Sequence, residues 1–342
     1  MSAVAAGSAL IAIGGNALVL EGEPGSLTRQ RERAAEFGEQ VAALVSDGWR
    51  LVVSHGNGPQ VGFILRRGEL VAPEAPIEGL PDLPLWLAVA DSQGGIGHIL
   101  ALEIDNALLR RGLSARSVAV LTHAEVDPAD PAFRSLTKPI GSTMTAEVAR
   151  LRMSEAGWTV VETSDGVYRR VVASPHPTAI IEAHQIRSLA GTDAVVIAGG
   201  GGGIPVVRDD DGWHSVDAVI DKDRASALLA ARVGLDTLVL VTGVDQVYVH
   251  FGTDRQRALT EIDAAEARSY LEAGEFPAGS MGPKVESALQ FLEAGGRRAV
   301  ITSLAKLPEA LRGTAGTAIV AGSAPSLEPA QSEQPSRRKD DA

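Results

Sequence analysis

The feature that most constrains this chain is a set of apolar runs that each end on glycines. The first run is Leu10–Asn16, Leu-Ile-Ala-Ile-Gly-Gly-Asn, and the same pattern returns at Leu51–Gly58 and Ala194–Gly203. Short apolar runs predict buried strands, and glycine lets backbone N–H groups approach an anionic ligand closely. In an open α/β sheet, ligands bind outside the carboxyl ends of the strands. We therefore expect three glycine loops to meet at one edge of one sheet and to form the active site there.

Helical patterns alternate with further strands along most of the chain, which predicts an α/β fold with a largely parallel, doubly wound sheet. The helices are predicted at residues 29–46, 91–111, 183–190, 223–233, 263–273 and 283–294. The alternation breaks between Ala124 and about Ser174, where a helix at 146–156 and a hairpin around Asp165 predict an inserted, lid-like subdomain. From Ser323 onward Pro, Ser, Gln and charged residues dominate, which predicts a disordered tail.

Composition excludes several classes of function. A chain of 342 residues with 45% hydrophobic content can bury a large core, and a net charge of −12 argues against a nucleic-acid partner. There is no cysteine, which excludes disulfides and thiolate chemistry. Met1–Gly7 carries no basic leader, and no apolar run approaches the ~20 residues of a membrane span. We expect a soluble, cytoplasmic protein that does not bind membranes.

Lysine is rare in this chain, which draws attention to the lysines that remain. Of 31 basic residues, the lysines are Lys138, Lys222, Lys284, Lys306 and Lys339. Lys222 and Lys284 each stand at the entrance to a predicted helix, where the helix dipole also favours anions. Asp223 could hold both ammonium groups in place. The plainer interpretations are a solvated lysine at a helix start and a glycine pair that only makes a tight turn.

Common catalytic motifs are missing from the sequence. Neither the P-loop pattern nor a Gly-x-Gly-x-x-Gly turn between strand and helix occurs, so phosphates would be held by glycine loops and isolated lysines. The histidines show no zinc-ligand spacing, and His55 is interpreted as a hydrogen-bonding loop residue. Asp209–Gly212 is interpreted as a solvated hairpin tip, although an acidic run of this kind also resembles a metal site.

Seven motifs together resemble the carbamate kinases of the amino acid kinase superfamily, from about Leu10 to Val320. They are Ile13-Gly-Gly-Asn-Ala17, His55-Gly-Asn-Gly-Pro-Gln-Val61, Asp91-Ser-Gln-Gly94, Asp127-Pro-Ala-Asp-Pro-Ala-Phe133 with Thr137-Lys-Pro139, Gly200-Gly-Gly-Gly-Ile-Pro-Val206, Val219-Ile-Asp-Lys-Asp223 and Gly279-Ser-Met-Gly-Pro-Lys-Val285. The resemblance implies a three-layer αβα sandwich with a mainly parallel sheet and a protruding lid subdomain, usually as a homodimer. It implies reversible phosphoryl transfer between ATP and carbamate, giving ADP and carbamoyl phosphate with Mg²⁺, often in the ATP-forming direction of arginine breakdown.

The resemblance also implies a division of the chain and roles for single residues. Residues 1–233, including the subdomain at 124–174, would bind carbamate and phosphate; residues 234–322 would bind the nucleotide; residues 323–342 would be the tail. The implied catalytic residues are Lys222, Asp223, Lys284 and Lys138, the last on the lid. The implied substrate cradle is Gly14, Gly15, Asn16, Gly56, Asn57 and Gly58. The implied nucleotide-binding residues are Thr242, Val244, Tyr248, Met281 and Pro283, and Mg²⁺ would be held through the ATP phosphates.

One position departs from the family pattern, and two other functions stay open. The family commonly has Thr-Asp-Val-Asp where this chain has Thr242-Gly-Val-Asp245, so Gly243 replaces an acid near the nucleotide. The nearest rival is another amino acid kinase that forms an acyl phosphate on an amino-acid carboxylate. A rival from a different class is a non-catalytic, nucleotide-binding regulator.

Overall fold

The computed structural model describes residues 7–14, 18, 26–71, 79, 81, 83–277 and 279–322, without the side chain of Ser142. Gly15 and Asn16 of the predicted cradle and the predicted tail at 323–342 lie outside the described residues. The α-helices of the described residues are α1 Leu27–Ser46, α2 Gly58–Val71, α3 Leu85–Arg110, α4 Ala146–Ala156, α5 Ala183–Ala190, α6 Lys222–Val233, α7 Ala264–Glu272, α8 Met281–Glu293 and α9 Leu307–Leu311.

The strands form one large sheet and three smaller ones. The large sheet contains β1 Gly7–Ile13, β2 Trp49–His55, β3 Ser117–Ala119, β9 Val195–Ile197, β12 Thr237–Thr242, β15 Glu261–Asp263, β16 Arg298–Ser303 and β17 Thr317–Val320. Their order across the sheet is β15-β17-β16-β12-β1-β2-β9-β3. Every pair is parallel except β16 with β17. The predicted, mainly parallel α/β sheet is confirmed.

The smaller sheets flank this one. A four-stranded sheet contains β4 His123–Val126, β8 Pro177–Ile180, β10 Ile204–Asp209 and β11 Gly212–Ser215, and a two-stranded sheet contains β13 Val247–Val249 and β14 Arg257–Leu259. A three-stranded antiparallel sheet contains β5 Lys138–Met144, β6 Val160–Ser164 and β7 Val167–Val172. We call this last sheet with α4 the small subdomain, residues 138–172.

Alternation along the strands explains why helices cover both faces of the large sheet. On β1 the side chains of Ala9, Ile11 and Ile13 join one apolar cluster, which also contains Phe37 of α1 and Leu100 of α3. Leu10 and Ala12 point to the opposite cluster, which also contains Leu229 of α6 and Phe291 of α8; these two clusters lie on opposite faces because successive strand residues alternate. A strand that is buried on both faces reads as a continuous apolar run, and the predicted three-layer arrangement follows.

The strand order places a ligand crevice at a defined point of the sheet. β1 lies between β2 and β12; the chain proceeds from β1 toward β2 on one side and from β12 toward β16 on the other. The helices that precede β2 and β16, α1 and α8, pack on opposite faces of the sheet, and such a reversal opens a crevice at the carboxyl ends of the strands.

A third apolar cluster joins the small subdomain to the body. It contains Val61 and Leu65 of α2, Val89 of α3, and Ile140 and Val172 of the small subdomain. Within the parts of the chain that the structure covers, no helix is long and apolar enough to cross a bilayer.

Candidate active site

A cavity of about 680 Å³ lies at the carboxyl ends of the central strands. Its backbone lining comes from loops after four neighbouring strands, namely Gly14 after β1, Gly56 after β2, Gly201 after β9 and Gly243 after β12. Asn57 and Gly58 also line it. The three glycine loops expected at one sheet edge therefore meet there, because parallel neighbours end at the same side.

Two ammonium groups share one carboxylate in this cavity. Lys222 is the first residue of α6, and Lys284 lies in the first turn of α8. The Lys284 Nζ donates to Asp223 Oδ2 at 2.7 Å, while the Lys222 Nζ donates to Asp223 Oδ1. Both lysine side chains are 14% exposed, and all three residues line the cavity. The sequence predicted this arrangement.

The three charges leave the site electropositive. Burial raises the pKa of Asp223, but the neighbouring ammonium groups of Lys222 and Lys284 outweigh it and hold that pKa well below its usual range. Burial lowers the pKa of Lys222; Asp223 opposes that change, and the like charge of Lys284 adds to it. Two cations against one anion give an excess of positive charge, which suits an anionic ligand such as a phosphoryl group.

Lys138 reaches the same cavity from the small subdomain. It is the first residue of β5, and its Nζ donates to Asp221 Oδ2 at 3.0 Å. Asp221 is also the N-cap of α6, since its Oδ1 accepts from the backbone N–H groups of Asp223 and Arg224. One carboxylate therefore ties the small subdomain to the helix that carries Lys222. Lys138 was predicted in the site, whereas Asp221 lies in the motif Val219-Ile-Asp-Lys-Asp223 without a predicted role.

The glycine turn after β9 is held by Gln93, which belongs to the motif Asp91-Ser-Gln-Gly94 but has no role predicted from the sequence. The Gln93 Nε2 donates to the carbonyl oxygens of Thr122 and Gly200, at 3.0 and 2.9 Å, and its Oε1 accepts from the Thr122 N–H. Gly201, at φ 64°, approaches Asn57 so closely that a Cβ would lie 2.3 Å from the Asn57 Nδ2. Only glycine fits this left-handed position.

Two arginines also line the cavity. Arg33 comes from α1, and Arg169 comes from β7 of the small subdomain. The Arg169 Nη2 donates to the Gly141 carbonyl oxygen at 2.9 Å. Neither residue belongs to the seven motifs or to the predicted cradle segment at 56–58. These two residues are far from that segment along the chain, so no local signal indicated them.

The predicted nucleotide-binding residues divide into two groups. Thr242 and Pro283 line the cavity, as does Gly243. Val244, Tyr248 and Met281 are not among its lining residues. Tyr248 lies on β13 with its ring centroid 6.1 Å from that of Phe251, and Met281 packs against the core at the start of α8. The roles proposed for these three residues stay predictions.

The described lining of this cavity does not offer a metal cage made by the protein alone. Among its described lining residues the carboxylates are Asp221 and Asp223, and both are paired with ammonium groups. The described part of the chain contains no group of three or more potential ligands that could hold a metal ion. This donor set fits Mg²⁺ that is held mainly by the phosphate oxygens of a bound nucleotide, as is common for that ion.

His55 at the end of β2 gives the fold an acid-sensitive position. Its Nδ1 lies 3.0 Å from the Gly56 carbonyl oxygen, and burial lowers its pKa to about 4. An unfolded histidine titrates near 6.5, so the unfolded chain binds this proton first and folding stability falls as pH drops from 6.5 toward 4. We expect a loss of about 3 kcal/mol over this interval from His55 alone.

Urea unfolding midpoints at pH 7 and pH 4.5 measure this contribution. The stability difference between the two pH values should shrink in His55→Asn and persist in His214→Asn, a change on the exposed hairpin of β10 and β11. An unchanged pH dependence in His55→Asn would exclude this origin.

Comparison with known proteins agrees with the geometry. Residues 8–303 match the amino acid kinase family. The chain is 45% identical over 313 residues to a carbamate kinase-like protein (YahI) of Escherichia coli, covering 91% of this chain and 98% of that protein. It is 41% identical over 311 residues to a carbamate kinase of Pyrococcus furiosus, with coverage of 91% and 98%. A solved carbamate kinase from Giardia lamblia bound to AMP-PNP has a TM-score of 0.84 at 35% identity, covering 92% and 99%. The chain therefore belongs to the amino acid kinase family, as its seven motifs predicted.

Proposed function

We propose that this protein is a carbamate kinase, which transfers a phosphoryl group reversibly between ATP and carbamate. The observation that carries the proposal is the pairing of Lys222 and Lys284 through Asp223, beside glycine loops from neighbouring strands. Similarity to carbamate kinases over nine-tenths of the chain supports it, and the AMP-PNP complex of the Giardia relative supports a nucleotide substrate.

In the proposed ATP-forming direction, the bond between phosphorus and the carbamoyl oxygen breaks. A terminal oxygen of the ADP β-phosphate forms the new bond to phosphorus, and carbamate leaves. The ammonium groups of Lys222 and Lys284 offset charge on the oxygens of the moving group, and Asp223 fixes their positions. The N–H groups around Gly14, Gly56 and Gly58 hold the small acid. Mg²⁺, when bound to the nucleotide phosphates, adds further charge neutralisation.

The experiment that tests this function is ATP formation from ADP and carbamoyl phosphate with Mg²⁺, followed by a coupled assay. We expect turnover by the purified chain and the reverse reaction with ATP and carbamate. Folded protein that shows no turnover in either direction would reject the proposal. The resemblance also carries the proposal of ATP formation during arginine breakdown, and relative rates in the two directions test the favoured direction.

Lys138→Ala is expected to lower kcat about tenfold to a hundredfold, while the dissociation constant for ADP stays unchanged. The reason is its approach from the small subdomain, which we propose acts as a lid over the acyl phosphate. Asp221→Asn is the matched variant, because asparagine caps a helix as well as aspartate does but releases the Lys138 ammonium. Asp221→Asn should also lower kcat, but by a smaller factor than Lys138→Ala. Equal losses of turnover and ADP affinity in Lys138→Ala would contradict the placement.

A second candidate acceptor is an amino-acid carboxylate, and Arg33 and Arg169 favour it. Guanidinium groups bind carboxylates in a two-pronged geometry, and both arginines line the cavity. A panel of ATP-dependent reactions with carbamate, aspartate, glutamate and N-acetylglutamate separates the two proposals. We expect product with carbamate alone.

The division of the chain and its assembly state are also proposals. We propose that residues 1–233 supply the acid-binding side of the cavity, that residues 234–322 supply the nucleotide side, and that the protein is a cytoplasmic homodimer. Exposed apolar residues at the β3 edge of the large sheet support a partner surface: Leu109 is 56% exposed, Val118 38% and Leu121 55%. Sedimentation equilibrium measures the assembly state.

A further inference from the structure

A second cavity, of about 640 Å³, lies between α2 and the small subdomain. Gly62, Leu65 and Arg66 line it from α2, while β5, β7 and α4 supply the other walls. Its volume is typical of a site for a small molecule. None of the described residues of the proposed reaction lines it, although Ile140 of β5 lines both cavities.

The charges on its walls are unbalanced. Among the described residues, three guanidinium groups line this second cavity, from Arg66, Arg152 and Arg170, against one carboxylate, that of Glu69. The Glu69 Oε2 lies 3.0 Å from the Arg66 Nη1 and 4.0 Å from the Arg152 Nη2, so two of the three arginines already share this carboxylate. The positive excess makes an anion the electrostatically favoured guest.

Of these three arginines, Arg170 is the one with no carboxylate partner among the described residues. Its guanidinium packs over the Trp158 ring, 4.7 Å from the centroid, and Arg152 lies 5.4 Å from the centroid of the same ring. Among the residues the structure describes, Arg170 has no carboxylate within 4.0 Å and donates no hydrogen bond from its side chain. It is half-buried, and burial lowers its pKa against the pull of Glu69 and Asp217. An arginine stays charged in proteins, so its burial here costs free energy that a bound anion would offset.

Apart from Thr143 and Thr145, the other described lining residues are glycines or carry apolar or aromatic side chains. Leu65, Val148, Leu151 and Val167 line the cavity together with the Trp158 indole. This surface suits a hydrocarbon or aromatic body, whereas inorganic phosphate or sulfate would leave it uncovered. We propose that the second cavity is a binding site for a small organic anion, whose acidic group is held by Arg170 and Arg152 and whose apolar body packs on Trp158 and the neighbouring aliphatic side chains.

A ligand bound in the second cavity would affect the first cavity through β5. A Cβ at Gly62 would lie 2.9 Å from the Gly141 Cα, so α2 and β5 already touch beside the second cavity. β5 begins with Lys138, which reaches Asp221. A ligand wedged between α2 and β5 would therefore shift Lys138, and turnover would change. This consequence rests on the proposed function, whereas the binding itself does not.

Anilinonaphthalene sulfonate is a suitable probe, because it carries one anionic group on an aromatic body. With the full chain and saturating ADP, we expect saturable binding with energy transfer from tryptophan. Arg170→Met should weaken the affinity at least tenfold, the loss expected for a charge-assisted hydrogen bond. Arg152→Met should weaken it in the same direction, and it provides a second variant if Arg170→Met does not unfold cooperatively.

Arg208→Met is the matched control. Arg208 also packs over an indole, 5.4 Å from the Trp213 centroid, but on the exposed hairpin of β10 and β11 and away from any cavity described above. Its removal should leave the affinity unchanged. Absence of saturable binding with ADP present, or equal affinities in the wild type and both cavity variants, would overturn the proposal. Lack of carbamate kinase turnover would refute the proposed function and leave this binding result standing.

Discussion

Lys222→Met is expected to lower kcat for ATP formation by two to three orders of magnitude, about the effect of removing one preorganised charge donor. Methionine keeps the length and apolar stem of lysine but removes the ammonium group. The affinity for ADP should change little, since we propose that Lys222 stabilises the phosphoryl group during its transfer. The variant should fold, because burial disfavours the Lys222 ammonium in any case and Asp223 keeps its ion pair with Lys284. Steady-state kinetics and ADP calorimetry separate the two effects.

Lys306→Met is the control, since Lys306 is an exposed lysine outside the cavity and its replacement should leave kcat unaltered. Lys284→Met should resemble Lys222→Met, and the double variant should lose less than the product of the two single losses because the pair acts as a unit. If Lys222→Met retained a third of wild-type kcat, this lysine would have no role at the reacting group.

The parts of the site that sequence predicted are those fixed by local rules. Apolar runs in the sequence predict buried strands, and neighbouring parallel strands end at the same edge of a sheet. The fold class therefore predicts that Gly14, Gly56 and Gly201 lie close together. Lys222 and Lys284 stood out because lysine is rare here and both occupy helix starts. Their common partner Asp223 is adjacent to one of them in sequence.

What sequence did not predict depends on contacts between distant segments. Asp221 is paired with Lys138, which lies 83 residues earlier, and Gln93 holds a turn 107 residues later. Arg169 enters the cavity from β7 of the small subdomain, whose sequence Val-Tyr-Arg-Arg-Val-Val does not show which arginine faces the cavity. The periodicity of apolar residues does not predict such pairings, because they depend on how the separate sheets pack against each other.

Two helices begin at positions that glycine and proline residues in the sequence did not predict. α2 begins at Gly58 within a Gly-Asn-Gly-Pro motif that was interpreted as a loop, although proline is well tolerated in the first turn of a helix. α3 begins at Leu85, six residues before the predicted start at Asp91, because Pro84 occupies the N-cap and Leu85, Ala88 and Val89 are buried. In both cases tertiary packing of an apolar face decided where the helix began.

Asp223→Asn is expected to have the largest effect on stability, about 3–5 kcal/mol at neutral pH, together with loss of turnover. The Asp223 side chain is 8% exposed and is the carboxylate shared by two ammonium groups that are each 14% exposed. Asparagine keeps the shape of the side chain but removes the charge, so two buried cations would face each other without compensation. The midpoint of urea unfolding measures the loss, and Asp210→Asn on the exposed hairpin should leave that midpoint unchanged.

The pH dependence of Asp223→Asn identifies the cause. Burial and the like charge of Lys284 already lower the pKa of Lys222 below its unfolded value near 10.5, and loss of the carboxylate removes the opposing attraction. Between the folded and unfolded pKa values the unfolded chain binds more protons, so the stability of the variant should rise as pH rises toward 10.5. Urea unfolding at pH 7 and pH 9.5 should therefore show partial recovery in the variant. A deficit that is equal at both pH values would mean that the loss comes from packing and not from the unpaired ammonium groups.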